Sequence, residues 1–345
     1  MRILIVNNRY PSANKPYVAT WLKEIFKIVR AEFPNSGLLV NRGNSNNKIG
    51  QIKDLLRFYL TLLTSRHISN NDVLFLHHFN LYWFIIKKRI NNQKLIIHWH
   101  GSEMKANSRF NRPNKWNKDK KLINCVHIAP SLYFKNLILK KIPSLKWVEV
   151  IPSGGVDVEL FKRISTTHSA NEVVIGFASK LTHSKGVQFL ILLAHEKKNI
   201  EENIKKKIVL MAIDYGATNQ TKNDLRSLPI ELVPPMSKEY LPGFYSKLDV
   251  LIFPSHHESL GMVPLEAMSC GVPVLCPDDF AATEYCIPEV SGERYVPLNY
   301  KSFKENLVKI IAKRGIYNPR QIIEERYSQE FCKRRYAEVI VSTLD

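Results

Sequence analysis

The stretch HHESLGMVPLEAMSCGVPVL, residues 256–275, decides the reading of this chain. Leu265, Ala267 and Met268 repeat as a buried helical face, Gly271 is a natural helix stop, and the VPVL that follows reads as a strand. Pro264 suits a first helical turn, where its missing N–H costs nothing. Glu258 then belongs to a loop and Glu266 to the helix, with the free N–H groups of Gly261, Met262 and Val263 pointing outward. Such a helix start attracts anions, and Gly261 lets a ligand approach the backbone closely. Two carboxylates beside an anion-binding helix start suit a ligand with a phosphate and several hydroxyls, as a nucleotide sugar has.

Outward from this stretch, short apolar runs alternate with amphipathic ones. ILIV (3–6), DVLFLH (72–77), KLIIHWH (94–100) and VHIAPS (126–131) read as strands, with helical patterns such as 20–30 and 52–63 between them. After the Pro- and Gly-rich VIPSGGVD (150–157) the alternation resumes through EVVIGFAS (172–179), KIVLMAI (207–213), VLIFPS (250–255) and VPVLCP (272–277). Strand–helix alternation implies a parallel sheet, and its recurrence implies an α/β protein of two doubly wound, Rossmann-like domains. Ligands of such sheets bind where strands open into loops at their carboxyl ends, where HWHGSE, FASKLTHSKG and FPSHHESLG fall.

The 345 residues are enough for two such cores. The first twelve residues read as a strand and are too short in apolar run for a signal peptide, and no stretch reaches the roughly 20 apolar residues of a membrane span. Five cysteines without C-x-x-C spacing predict a reduced, cytoplasmic chain with no disulfide framework. The formal charge of +19 is uneven: residues 1–163 hold 28 Lys+Arg against 9 Asp+Glu, and residues 164–345 hold 22 of each. An excess confined to the first half points to an anionic partner of that half.

Three groups of residues could carry chemistry. Lys180 and Lys185 leave a strand toward a helix start and could neutralise a diphosphate without a metal. His98 and His100 share a strand face, a spacing that permits metal binding, but no third ligand is visible locally. His98, deeper in the strand, reads as a satisfied core histidine, His100 as the one at the site's edge, and His77 and His78 as structural. No D-x-D pair is present, so no metal and no other cofactor is expected.

These residues resemble glycosyltransferase family 4, a group of retaining GT-B enzymes. FPSHHESLGMVPLEAMSCGVPV resembles the donor-binding signature; IPSGGVDVELF (151–161), ASKLTHSKGVQFLI (178–191), WHGSE (99–103) and IAPS (128–131) resemble its other motifs in the same order. The resemblance implies two domains and an interdomain cleft: an acceptor domain at 1–160, rejoined by a C-terminal helix within 328–345, and a donor domain at 161–327. It implies that Glu266 holds the nucleotide ribose, that Glu258 faces the transferred sugar, and that the N–H groups of Gly261, Met262 and Val263 cradle the distal phosphate. Lys185 and Lys180 would hold the diphosphate, Lys180 standing where arginine is usual, and His100 would lie near the donor sugar and the incoming hydroxyl. Catalysis would then rest on His100, Glu258, Lys180 and Lys185, with front-face attack and no carboxylate nucleophile. The family's glycine pair after the first strand is absent, Tyr17 and Val18 coming nearest; LMAIDYGA (210–217) departs from the base-pocket motif, and Glu103 replaces an aspartate.

The implied function is metal-independent transfer of a hexose from a nucleotide sugar, expected to be UDP-linked, to a saccharide or lipid-linked acceptor. Surface-polysaccharide or lipopolysaccharide assembly at the inner face of the plasma membrane is the expected setting. A nucleotide-sugar epimerase, a non-catalytic sugar-nucleotide binder and a nucleic-acid binder are the alternatives, and the last does not explain the neutral second half. Two segments could meet an anionic membrane. In 52–66 the face Leu55, Leu56, Tyr59, Leu62 and Leu63 is expected to pack on the sheet as an ordinary crossover helix does, with Lys53, Arg57 and Arg66 flanking it. In 108–121, basic residues alternate with Phe110 and Trp116, and contact with an anionic partner is expected.

Overall fold

The computed structural model describes all residues except 12–18, 42, 44, 46, 65–67, 69, 79–80, 83–92, 102, 104–115, 166–168, 170 and 345. Tyr17, Val18, Arg66, Arg109, Phe110, Arg112 and Lys115 lie outside the described residues. The chain forms two compact units, residues 1–155 with 329–345, and residues 156–328. The first break falls at Gly155, five residues before the expected 160. The N–H of Val156 is already bonded to the Tyr327 carbonyl, which holds it in the second unit.

The first unit is a six-stranded parallel sheet in the order β2-β1-β3-β4-β5-β6. The strands are β1 (Ile3–Asn7), β2 (Gly37–Val40), β3 (Val73–His77), β4 (Lys94–His98), β5 (Val126–Ala129) and β6 (Val148–Val150). Alternate side chains leave opposite faces of a strand, so a sheet covered on both sides needs apolar residues at every position. Accordingly, Ile3, Ile5, Val73, Phe75 and Ile96 pack with helix α1 (Thr20–Glu32) through Leu22, Ile25 and Val29. Leu4, Val6, Leu74, Leu76 and Ile97 face the opposite core, with Phe58, Tyr82, Trp116 and Phe134. The helix Gln329–Ser342 adds Cys332, Tyr336, Val339 and Ile340 to the α1 side of this same unit.

Two expectations about this unit are corrected. In α2 (Lys48–Thr64) the buried side is Phe58 and Leu62, with Tyr59 partly covered, whereas Leu55 and Leu56 are exposed. Ile49, Ile52 and Leu60 are exposed as well, so much of the apolar surface of α2 faces away from its own sheet. Trp116 is fully buried in the core, not displayed among basic residues, and beside it Asp119 caps the helix Lys120–Ile123 and accepts from Tyr82 Oη.

The second unit is a parallel sheet in the order β12-β11-β10-β7-β8-β9. Its strands are β7 (Glu172–Phe177), β8 (Lys207–Ile213), β9 (Ile230–Val233), β10 (Val250–Ile252), β11 (Val274–Pro277) and β12 (Gly292–Tyr295). Read from β7, this is the strand order of a dinucleotide-binding sheet, which reverses direction between β7 and β10. The loops that leave the carboxyl ends of β7 and β10 therefore diverge to opposite faces and leave a crevice between them. All five cysteines are free and buried. Among the described residues, no helix is long and apolar enough to cross a membrane.

Candidate functional site

At the switch point of the second sheet, the loop after β7 runs through a 3-10 turn, His183–Lys185, into the helix Val187–His195. Gly186 joins them at a φ of 81°, and a Cβ there would collide with the Pro254 carbonyl in the loop after β10. That close approach ties the two loops together, as do the bonds from His256 N to Ser184 O (3.1 Å) and between Gln188 Nε2 and His256 Nε2 (2.6 Å). It also brings Lys185 to Glu258: the ammonium donates to Glu258 Oε1, which accepts from Ser255 Oγ at 3.0 Å as well. Both partners keep some exposure, at 29% and 18% of their side chains, so the pair can be reached from solution.

The loop after β10 ends at Gly261, whose φ of 90° starts the helix Met262–Ser269. A side chain there would meet Tyr285 Oη at 3.0 Å and the Phe253 ring at 3.2 Å, so glycine is demanded twice, by backbone and by space. Gly261, Met262 and Val263 are half-buried, with their N–H groups at the helix start and no side-chain cap. Glu266, one turn on, accepts from Tyr245 Oη at 3.1 Å. Burial raises its carboxyl to about 7, against the opposing pull of Lys238 and of the tyrosine bond. Lys180 is exposed and lies over the Tyr215 ring at 5.4 Å, with Gly216 against its stem. The tyrosine and glycine of LMAIDYGA thus serve as a rest for this lysine. Lys185, Glu258 and the Gly261 helix start share the switch point; Glu266 lies one turn into the same helix, and Lys180 stands on the loop that leads to Lys185. Ser255 was not singled out in the sequence although it lies three residues before its partner Glu258; Tyr245, Lys238 and Tyr285 were missed because each acts through a residue far from it along the chain.

The carboxyl ends of β3 and β4 in the first unit carry a different assembly. The parallel register sets His77 beside His98, and His100 follows two residues on. His77 Nδ1 and His100 Nε2 are 3.1 Å apart, and the Trp21 ring stacks on His100 at 3.8 Å. His78, held at a φ of 78°, pairs with buried Glu103 at 2.9 Å. Glu103 Oε2 also accepts from the His100 backbone N–H at 3.3 Å. Burial alone would raise the Glu103 carboxyl, but the His78 charge and hydrogen bond, with backbone N–H groups, hold it below its usual value. His98 is driven down to about 3 by burial, and burial together with the neighbouring imidazoles drives His77 and His100 well below theirs. At neutral pH these three rings are uncharged. His98 is not the satisfied core histidine its position suggested: among the described residues, neither of its nitrogens has a hydrogen-bond partner. Nor is a third ligand missing, because ligand nitrogens of His77, His98 and His100 lie within 4.8 Å of one another.

Two doubly wound parallel sheets, one ordered as a nucleotide-binding sheet with a charged site at its switch point, define a GT-B fold. Solved structures agree. Sucrose-phosphate synthase from Thermosynechococcus elongatus superposes with a TM-score of 0.75 at 14% identity, covering 100% of this chain and 99% of that one. Anabaena HepE in complex with UDP and glucose superposes with a TM-score of 0.71 at 16% identity, covering 99% and 100%. Residues 159–329, which make up nearly all of the second unit, match the family of glycosyl transferases group 1. Among curated relatives, D-inositol 3-phosphate glycosyltransferase of Saccharomonospora viridis is 29% identical over 140 residues, 36% of this chain and 32% of that protein. Its counterpart in Corynebacterium jeikeium is 32% identical over 146 residues, 37% and 35% of the two chains. The matches thus span about a third of these relatives' length.

Proposed function

We propose that this chain moves a hexose from a nucleoside-diphosphate donor to a saccharide or lipid-linked acceptor, without a metal and with retention of anomeric configuration. The observation that carries the reading is the reachable Lys185–Glu258 pair at the switch point of the second sheet. Without donor, each charge neutralises the other. When donor arrives, the diphosphate takes Lys185 and frees Glu258 to accept from sugar hydroxyls, while Glu266 accepts from the ribose. The N–H groups of Gly261, Met262 and Val263 take the distal phosphate, and Lys180 approaches from its rest on Tyr215. As the sugar–oxygen bond breaks, charge collects on the diphosphate, so these donors bind the transition state more strongly than the ground state. A leaving phosphate oxygen on the same face accepts the acceptor's proton, as the family resemblance implies. His100, uncharged, is the hydrogen-bonding partner of the incoming hydroxyl in the first unit.

A UDP-linked donor is favoured because the structurally similar HepE is described with UDP and with UDP-glucose. Surface-polysaccharide assembly is favoured by likeness to the lipopolysaccharide outer core galactosyltransferase WaaB, with a TM-score of 0.68 at 15% identity. The test is release of nucleoside diphosphate from UDP-, GDP- and ADP-sugars with and without saccharide acceptors. Acceptor-dependent release with an unchanged anomeric configuration supports the reading. Binding without release makes the chain a sugar-nucleotide binder, and a free sugar nucleotide of altered configuration makes it an epimerase.

The first unit is proposed to dock on the anionic inner leaflet of the plasma membrane. Ile49, Ile52, Leu56 and Leu60, each 57% or more exposed, follow one another at helical spacing on α2, with exposed Lys48, Lys53 and Arg57 among them. Apolar side chains enter the interface while neighbouring cations meet lipid charge, each adding about 1 kcal/mol. Sedimentation with anionic vesicles should weaken with salt and fall when Ile52 and Leu56 become aspartate. Equal binding to neutral vesicles, or none to either, removes the proposal.

A further inference from the structure

The imidazole cluster of the first unit holds more ligand chemistry than a hydrogen-bonding partner for an acceptor requires. Each of His77, His98 and His100 can present one ring nitrogen within 4.8 Å of the other two. Nitrogens bound at about 2.1 Å to a tetrahedral metal lie about 3.4 Å apart, so modest ring rotations close the set. His77 and His100 are already at 3.1 Å. A purely structural reading satisfies that one contact and leaves His98 unexplained, because both of its nitrogens are buried without a partner among the described residues, as is His77 Nε2. A polar ring buried in that way is costly, and a metal removes the cost by taking the lone pair.

We propose that His77, His98 and His100 bind one transition-metal ion of borderline softness, of the Zn2+ or Co2+ class. Neutral imidazole is the form that ligates, through the lone pair of one ring nitrogen. The three ligands are uncharged, and the nearby Glu103 carboxylate, paired with His78, offsets part of the ion's charge. Three protein nitrogens leave a fourth position open, for water or a hydroxyl. Trp21, stacked on His100, covers one side of that ring. The three histidines belong to the first unit, and Lys180, Lys185, Glu258 and Glu266 to the second. The ion would occupy the His100 lone pair, so metal should inhibit transfer; this consequence, unlike the binding itself, rests on the transferase reading.

Cobalt titration of the whole chain, followed in the visible region, tests the proposal. One equivalent of Co2+ should give the intense bands of a low-coordinate nitrogen site, displaced by one equivalent of Zn2+. His98→Gln, which keeps a polar side chain of similar length, should weaken binding more than tenfold with unchanged circular dichroism. If that variant misfolds, His100→Gln serves, since His100 is only half-buried. Among the described residues, His183 and His256 form another close imidazole pair outside the cluster, with ring centroids 5.2 Å apart, and His183→Ala should leave the bands intact. Absence of the bands from the wild-type chain, their survival in the His98 and His100 variants, or their loss in His183→Ala overturns the proposal. If the bands appear but turnover does not fall with metal, the site stands and the role given to His100 fails.

Discussion

The two units solve the same topological problem with opposite electrostatics. In the second, a dinucleotide-type sheet presents full charges at its switch point, Lys185 against Glu258, with the Glu266 carboxyl one turn into the adjoining helix. In the first, the strand ends present neutral imidazoles whose basicity burial has removed, with an indole stacked above them. A doubly wound sheet sets where a site lies; the residues at its strand ends set what the site can hold. Charges that are paired yet reachable suit a diphosphate. Uncharged ring nitrogens suit a hydroxyl or a metal ion of borderline softness.

The contrast can be broken most severely at Lys185. Lys185→Ala should lower kcat by roughly 100- to 1,000-fold with a much smaller change in donor affinity, because the cation matters most as charge gathers on the diphosphate. Weakened donor affinity with kcat unchanged would show instead that it binds ground state and transition state alike. Lys180→Ala, in an exposed position, should cost less. A smaller effect is expected at Glu266, where Ala should weaken nucleoside-diphosphate affinity by roughly 10- to 100-fold through loss of charged hydrogen bonds to the ribose. Unchanged affinity by calorimetry removes the ribose assignment.

The mildest test is one of pH. Glu266 is raised from 4.5 to about 7, so between those values the folded chain keeps a proton that the unfolded chain has lost. The native state then binds more protons, and stability falls as pH rises through that window. Glu266→Gln cannot ionise and should flatten that part of the profile in thermal unfolding followed from pH 4.5 to 8. A slope like that of the wild type would show that the carboxyl is solvated.

Much of this contrast is legible before folding. The strands that the apolar runs reveal are the inner ones, covered on both faces. The four that the runs do not reveal, β2, β6, β9 and β12, are the outer strands of the two sheets. Three of these, β2, β6 and β9, are mostly half-buried, which admits polar residues and dilutes the pattern. The residues of the candidate site in the second unit are legible because a loop and a helix start are local features. Their pairing is not: Lys185 and Glu258 are 73 residues apart and meet through the approach of Gly186 to Pro254. His98 and His100 announce themselves by spacing, whereas His77 joins them through the parallel register of β3 on β4, which no local pattern records. In α2 the apolar residues are visible but not which of them the sheet covers, since Leu55 and Phe58 are equally apolar on paper.

The helix Gln329–Ser342 gives the two units different histories. Residues 156–328 are contiguous, so the second unit has its whole core once Ser328 has left the ribosome. The first unit, although synthesised earlier, lacks Cys332, Tyr336, Val339 and Ile340 until the last stretch emerges. It also lacks the Cys332 contact to the Pro152 carbonyl and the Arg335–Glu149 ion pair. Domains that fold as units in order of synthesis would here be reversed, the second closing first while the α1 side of the first sheet waits uncovered. A nascent chain stalled before residue 329 would then expose apolar surface in its first half only, and chaperones that recognise such surface would find it there.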